Sequence, residues 1–188
     1  MLELSLHILD LLQNSLEAGA SCVELEIVED VAQNRLHISV KDNGQGMSKE
    51  ALARIDDPFF TTRKSRRVGL GIPLLKAAAE RCNGDLTVTS TLGLGTRVEV
   101  DFQRDHIDRA PLGDMVGTLL GFVLSSLADG EACDICYTHR VDGRTFTFDT
   151  REIREILGDV PLTHPRVRQW MKDFLEQGFA DLCRNPSF

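Results

Sequence analysis

Helical and alternating patterns follow one another along this chain, and together they predict an α/β fold. An apolar stripe at helical spacing (Leu4, Ile8, Leu11, Leu12, Leu16) leads into two runs of period two, Val23-Leu25-Ile27 and Leu36-Ile38-Val40. A second helical stretch over 70–82 then precedes another pair of alternating runs. Each pattern marks an element with one apolar face, which calls for helices laid on a sheet.

The first helix is predicted over residues 3–18, with Gly19 as its C-terminal cap. The two alternating runs that follow carry polar residues on their second face and read as neighbouring antiparallel strands. Ser48 caps a short helix reaching about residue 55. Residues 56–68 have no period, hold Pro58 and a cationic tract, and read as a functional lid rather than a simple connection. Over 70–82, Leu74, Leu75, Ala78 and Ala79 form the predicted inner face, ended by Asn83-Gly84. Leu86 and Val88 then pair with 97–102 in a hairpin whose Val98, Val100 and Phe102 point inward.

This organisation divides the chain into a first domain over 1–104, a connector over 105–112 with Pro111, and a small module over 113–188. The module reads α-β-β-α-α, its hairpin turning at Asp142-Gly143. That turn places Tyr137 opposite Phe148 and His139 opposite Phe146, with Trp170, Phe174 and Phe179 covering them. Cys133 and Cys136 fall on opposite faces of a strand, so their spacing is read as ordinary packing rather than zinc binding.

Composition narrows the classes. With 42% apolar residues, the 188-residue chain can fill a core, and a net charge of -8 argues against gripping nucleic acid by phosphate neutralisation. No apolar run reaches the ~18 residues a membrane span needs. Five scattered cysteines do not form a disulfide framework, and the amino terminus lacks a basic leader, so a cytoplasmic setting is expected.

Chemistry gathers at three glycine stations. Asp42-Asn43-Gly44-Gln45-Gly46 ends the second strand, where a carboxylate can accept from the exocyclic amine of adenine and the glycines admit a flat base. Gly69-Leu70-Gly71 opens a helix, whose unpaired amides suit phosphate oxygens. Gly93-Leu94-Gly95-Thr96 precedes the last strand of the first domain. On the first helix, Asn14 is suited to a Mg²⁺ ion held by phosphates, and Asp10, one turn earlier on the same face, to orienting or deprotonating a nucleophile. Each motif alone is weak; a turn, a capped helix or a solvated loop would account for any one of them. Neither a Walker A loop nor a dinucleotide fingerprint is present.

In this order the motifs resemble those of the GHKL ATPases: gyrase, heat-shock chaperone, histidine kinase and mismatch-repair proteins. The run 11–20 resembles their N box, Asp42 to Met47 their first glycine box, and Val68 to Pro73 their second. Asp57-Pro58-Phe59-Phe60-Thr61-Thr62-Arg63 is similar to a lid-entrance motif of sensor histidine kinases. The resemblance covers residues 3–103 and implies a Bergerat-type two-layer α/β sandwich, a mixed sheet under helices, that binds ATP and Mg²⁺. It assigns Asn14 to the metal, Asp42 with Gly44, Gly46 and Met47 to the base, and Thr96 to the water network beside it. Thr61, Thr62, Arg63 and Lys64 would belong to the lid, and Gly69, Leu70 and Gly71 would line the phosphates.

Two departures shape the expected activity. The position that carries Glu in hydrolytic members and anti-sigma kinases is Asp10 here, shorter by one methylene. The first helix also starts at the chain's beginning, leaving no room upstream for a phosphoacceptor hairpin, and His7 lies inside the nucleotide helix. The expectation is a histidine-kinase-like ATP-binding protein that phosphorylates a histidine or serine of a separate protein in trans. The alternatives are a non-catalytic ATP-dependent switch that regulates a partner, and a weak ATPase.

Overall fold

The computed structural model describes residues 3–55, 70–128 and 133–183. Helix α1 (Leu4–Glu17) is followed by strands β1 (Cys22–Asp30) and β2 (Arg35–Asp42), and by the short helix α2 (Lys49–Leu52). Helix α3 (Gly71–Glu80) leads to β3 (Leu86–Thr91) and β4 (Gly95–Gln103). The remainder is α4 (Met115–Ala128), β5 (Asp134–Val141), β6 (Arg144–Asp149), α5 (Thr150–Leu157) and α6 (Pro165–Cys183). Ser48 caps α2 by accepting from the Ala51 amide, and Gly19 adopts φ +70° just past α1.

The strands form one mixed six-stranded sheet in the order β3-β4-β2-β1-β5-β6. All neighbours are antiparallel except β1 and β5, which run parallel from Cys22↔Asp134 to Glu29↔Val141. The hairpin of residues 113–188 therefore continues the sheet of the first part. Alternation marks which face of a strand is buried, not which strand lies beside it. β5 supplies the backbone partners that the outer edge of β1 requires.

One face of the sheet is apolar and carries the helices. Val23, Leu25, Ile27, Leu36, Ile38, Val40, Val98, Val100, Phe102, Ile135, Tyr137 and Phe148 are buried there. From the helices, Leu4, Ile8, Leu11, Leu12, Leu75, Ala79, Leu119, Phe122, Met171 and Leu175 close the core. Each large aliphatic or aromatic side chain so buried contributes about 1.5–3 kcal/mol before entropy is counted. The other face is charged, with Lys41 on Glu24 (3.0 Å), Arg35 on Asp101 (2.6 Å) and Arg97 on Glu99 (3.4 Å). Leu74 departs from the predicted inner face: it is 45% exposed, because α3 turns it toward the rim of the α1–α3 seam.

The hairpin turn sets the register that its sequence predicts, Tyr137↔Phe148 and His139↔Phe146. Phe179 lies against the Tyr137, His139 and Phe146 rings, and Phe174 against Phe146 and Phe148, with Trp170 stacked on Phe174 at 5.3 Å. No helix among the described residues is long and apolar enough to cross a membrane.

Candidate functional site

Asp42 ends β2 and is held by three donors among the described residues. Its Oδ1 accepts from the Gly44 amide (2.8 Å) and the Thr96 amide (3.3 Å), while Oδ2 accepts from the Ser15 hydroxyl (3.3 Å). An ionised carboxylate oxygen offers about two acceptor positions. Oδ2 therefore keeps one for a further donor, such as an exocyclic amine. The single Ser15 hydroxyl hydrogen is shared between Oδ2 and the Leu11 carbonyl at 3.2 Å, which ties the carboxylate to the middle of α1.

The first and last glycine stations interlock around Asp42. Gly46 has φ +64° and Gly95 φ +108°, conformations that L side chains rarely adopt. A Cβ on Gly46 would also overlap the Thr91 carbonyl, and one on Gly95 the Asp42 carbonyl. Gln45 bonds α1 through the Ala18 carbonyl (2.8 Å) and the last station through the Gly93 amide (2.7 Å). Ser90 then links both sides. It accepts from the Met47 amide at 2.8 Å, donates to the Gly95 carbonyl at 2.9 Å and meets the Thr96 hydroxyl at 2.9 Å.

The second station meets α1 at Asp10. A Cβ on Gly71 would overlap the end of the Asp10 carboxylate, so the start of α3 sits directly against that side chain. Asn14 follows one turn along the same face. A carboxylate, an amide oxygen and the first turn of α3 thus lie at one end of the α1–α3 seam. Helix amides there suit anionic oxygens, and Asn14 could supply one oxygen to Mg²⁺.

Of the predicted site residues, the structure brings Asp10 to Gly71, and Asp42 to Gly44 and Thr96; Asn14 lies on α1 and Leu70 just before α3. Gly46 and Met47 stand in the loop that Ser90 and Thr91 close. Thr61, Thr62, Arg63, Lys64 and Gly69 lie outside the described residues. Sequence reasoning missed Ser15 and Ser90. Ser15 adjoins Asn14 in the motif, and Ser90 falls opposite Thr96 in the β3–β4 register, so pairing the hairpin would have found it.

Three residues weighed in the sequence have structural settings of their own. His7 is 5% exposed on α1, and burial lowers its pKa below that of a free imidazole. Cys133 is buried and its thiol is pushed up to about 12 by that burial, whereas Cys136 is half-buried on the opposite side of β5.

Comparison with known proteins gives this geometry its context. The family model described as "Histidine kinase-, DNA gyrase B-, and HSP90-like ATPase" matches residues 2–106. A "Putative sensor protein" of Shewanella frigidimarina is 35% identical over 97 residues, which are 50% of this chain and 15% of that protein. The "Autoinducer 2 sensor kinase/phosphatase LuxQ" of Vibrio cholerae is 32% identical over 108 residues, 53% of this chain and 13% of that protein. The chain thus matches well under a fifth of either relative's length. A solved structure titled "Crystal Structure of N terminal domain of a DNA repair protein" superposes with TM-score 0.54 at 14% identity, covering 85% of this chain and 58% of that one. At that identity the likeness is one of fold. The matched residues hold every glycine station described above within a mixed sheet under helices, and the chain belongs to the histidine kinase-, DNA gyrase B- and HSP90-like ATPase family, with its Bergerat fold.

Proposed function

We propose that this chain binds ATP with Mg²⁺ and transfers the γ-phosphoryl group to a side chain of a separate protein. The observation that carries this reading is the contact between Asp10 and Gly71, which sets a candidate base beside the helix start that suits phosphates. Asp42 would accept from the adenine amine through the free position on Oδ2, and Ser90 and Thr96 would hold the polar wall beside the base. Asn14 would hold Mg²⁺, whose charge offsets that of the phosphates. In the transfer, the acceptor's oxygen or nitrogen bonds to the γ-phosphorus as the bond to the ADP oxygen breaks. Asp10 takes the acceptor's proton.

A second reading is an ATP-dependent switch that a partner senses without phosphoryl transfer. The aspartate at position 10 favours it, since a carboxylate one methylene shorter reaches less far toward a nucleophile. Hydrolysis alone would appear as a third outcome, phosphate release to water.

Incubation of the purified chain with γ-labelled ATP, alone and with cell extract, separates these readings. Label on an extract protein that vanishes in Asp10→Ala and Asn14→Ala supports the kinase. Saturable Mg²⁺-dependent ATP binding with neither transfer nor phosphate release supports the switch. Asn14→Ala is expected to weaken ATP binding about tenfold or more in magnesium and little in EDTA. Wild-type affinity in magnesium would remove Asn14 from the metal site.

A further inference from the structure

β6 is the last strand of the sheet and pairs only with β5 among the described residues. The phase of that pairing can be read from β1. The Asp134 amide bonds the Ser21 carbonyl (2.9 Å) and the Asp142 amide the Glu29 carbonyl (3.3 Å), so these positions of β5 face β1. The alternate positions, Tyr137, His139 and Val141, turn their backbone groups to Phe148, Phe146 and Arg144 of β6. Thr145 and Thr147 therefore point their amides and carbonyls away from the sheet, and both residues are exposed. No proline, lysine or bulge blunts this edge between Arg144 and Asp149. The opposite edge, β3, is better covered: α2 lies against it, and the Asp85 carboxylate takes the Leu86 amide at 2.8 Å.

The helix above the β6 edge also has an uncovered flank. α4 covers one side of α6, with Leu120 and Leu124 facing Arg168 and Met171 across a shallow groove. The other side carries Arg166, Trp170, Phe174, Gln177 and Asp181, spaced as one helical stripe and all exposed. Trp170 is 48% and Phe174 39% exposed, although the two rings stack on each other. Phe174 packs over Phe146 and Phe148 of β6, and Phe179 over Tyr137 and His139 of β5, so α6 rides between those strands. Neighbouring strands lie about 4.8 Å apart. A second copy paired through β6 would thus set its α6 about 10 Å away, within the usual spacing of packed helices.

We infer that β6 and the outer flank of α6 form a two-fold interface with a second copy of this chain. Thr145 pairs with Thr147 of the second copy and Thr147 with its Thr145, with two backbone bonds at each pair, and the Phe146 residues meet across the axis. The same axis runs the two α6 helices antiparallel, and Trp170 and Phe174 of each fill the space between them. The stripe is self-complementary in charge. No acidic residue stands in the first turn of α6, and Arg166 there faces the carboxyl end of the other stripe, where Asp181 stands. Such a pairing closes on itself, because it uses the same edge on both copies.

Sedimentation equilibrium of the full chain over the micromolar to millimolar range is the test, with amide hydrogen exchange beside it. The mass is expected to rise from 20.9 kDa to twice that value and stop there. Exchange at Thr145 and Thr147 should slow as the dimer fills. Thr147→Pro removes an outward N–H that one copy alone does not use, and edge strands accept proline there, so this variant should stay monomeric. Trp170→Glu, at an exposed position that leaves the fold intact, should raise the dissociation constant about tenfold or more. Arg166→Asp should raise it about fivefold, and Asp181→Arg added to it should restore the wild-type value. A wild-type chain that stays at 20.9 kDa throughout overturns the interface and leaves β6 to some other extended chain. Mass that climbs without limit overturns the two-fold closure. A dimer that survives both Thr147→Pro and Trp170→Glu, or whose Thr145 and Thr147 amides exchange as fast as in the monomer, overturns this surface. A charge exchange that fails to restore the affinity overturns the antiparallel α6 contact.

Discussion

Asp42 illustrates how much one side chain's neighbours decide. Its three internal donors hold the carboxylate in one orientation and leave an acceptor position on Oδ2. Asp42→Asn replaces one oxygen with a donor that opposes an incoming amine. ATP affinity, followed by calorimetry, is expected to fall by about 1.5–3 kcal/mol, roughly ten- to a hundredfold. Equal ATP affinity in the variant would place adenine recognition elsewhere. Glu29 shows the same dependence at the far end of the sheet. Its carboxylate bonds the His139 ring (3.2 Å) and the Arg104 guanidinium (3.0 Å), and the Tyr137 hydroxyl holds the other ring nitrogen of His139 (3.0 Å). The hydrogen bond with His139 first, and Arg104 after it, keep the Glu29 carboxyl below the usual carboxylate range. A carboxyl whose folded pKa is depressed contributes fully above its unfolded value, about 4.3 for Glu, and loses that contribution as pH falls through the folded value. Denaturation followed across pH should therefore show the wild type losing stability more steeply below about pH 4 than Glu29→Gln. Parallel curves would remove Glu29 from the acid transition.

At the level of elements, two helical glycines respond in opposite directions to one substitution. Gly178 of α6 is buried, and a Cβ there would overlap the Phe146 ring, so α6 rests flush on β6. Gly121 of α4 is exposed, with nothing within 4 Å of the added atom. Alanine exceeds glycine in helix propensity by about 0.8–1 kcal/mol, whereas overpacking a filled contact costs about 1–3 kcal/mol. Gly121→Ala should thus stabilise the fold by about 0.5–1 kcal/mol. Gly178→Ala should leave it less stable, or at best unchanged, as read by the midpoint of denaturant unfolding. A stabilised Gly178→Ala would mean that Phe146 yields easily. Legibility varied in the same way among the elements. The β5–β6 register could be read from Asp142-Gly143, because a two-residue turn leaves only one pairing. Leu74 could not be placed, since its helical spacing fits the inner face while the cavity beside α1 leaves it half-exposed.

For the whole molecule, the decisive contact is the parallel ladder between β1 and β5. It joins strands more than a hundred residues apart and brings α4 against α1 and α6. A fragment ending at residue 104 would lose β5 from the edge of β1 and α4 from the side of α1. Exposed edges and uncovered apolar faces favour association. That fragment is expected to melt without a cooperative transition in circular dichroism and to elute as an aggregate. A monomeric, cooperatively unfolding fragment would instead show that residues 1–104 stand alone.

Local order along the chain was enough to define the family's glycine stations, the kind of each element and, Leu74 of α3 apart, the face each one buries, because periodicity and turn chemistry act over a few residues. It was also enough to place Asp10 and Asn14 on one side of α1. The tertiary structure alone decided that β5 lies beside β1, that Ser15 and Ser90 brace Asp42 and the glycine loops, and that His7 is buried beside the α1–α3 seam. Each of these depends on which elements become neighbours. A repeat of apolar residues shows that a face is covered, but what covers it is selected by the packing of the whole chain.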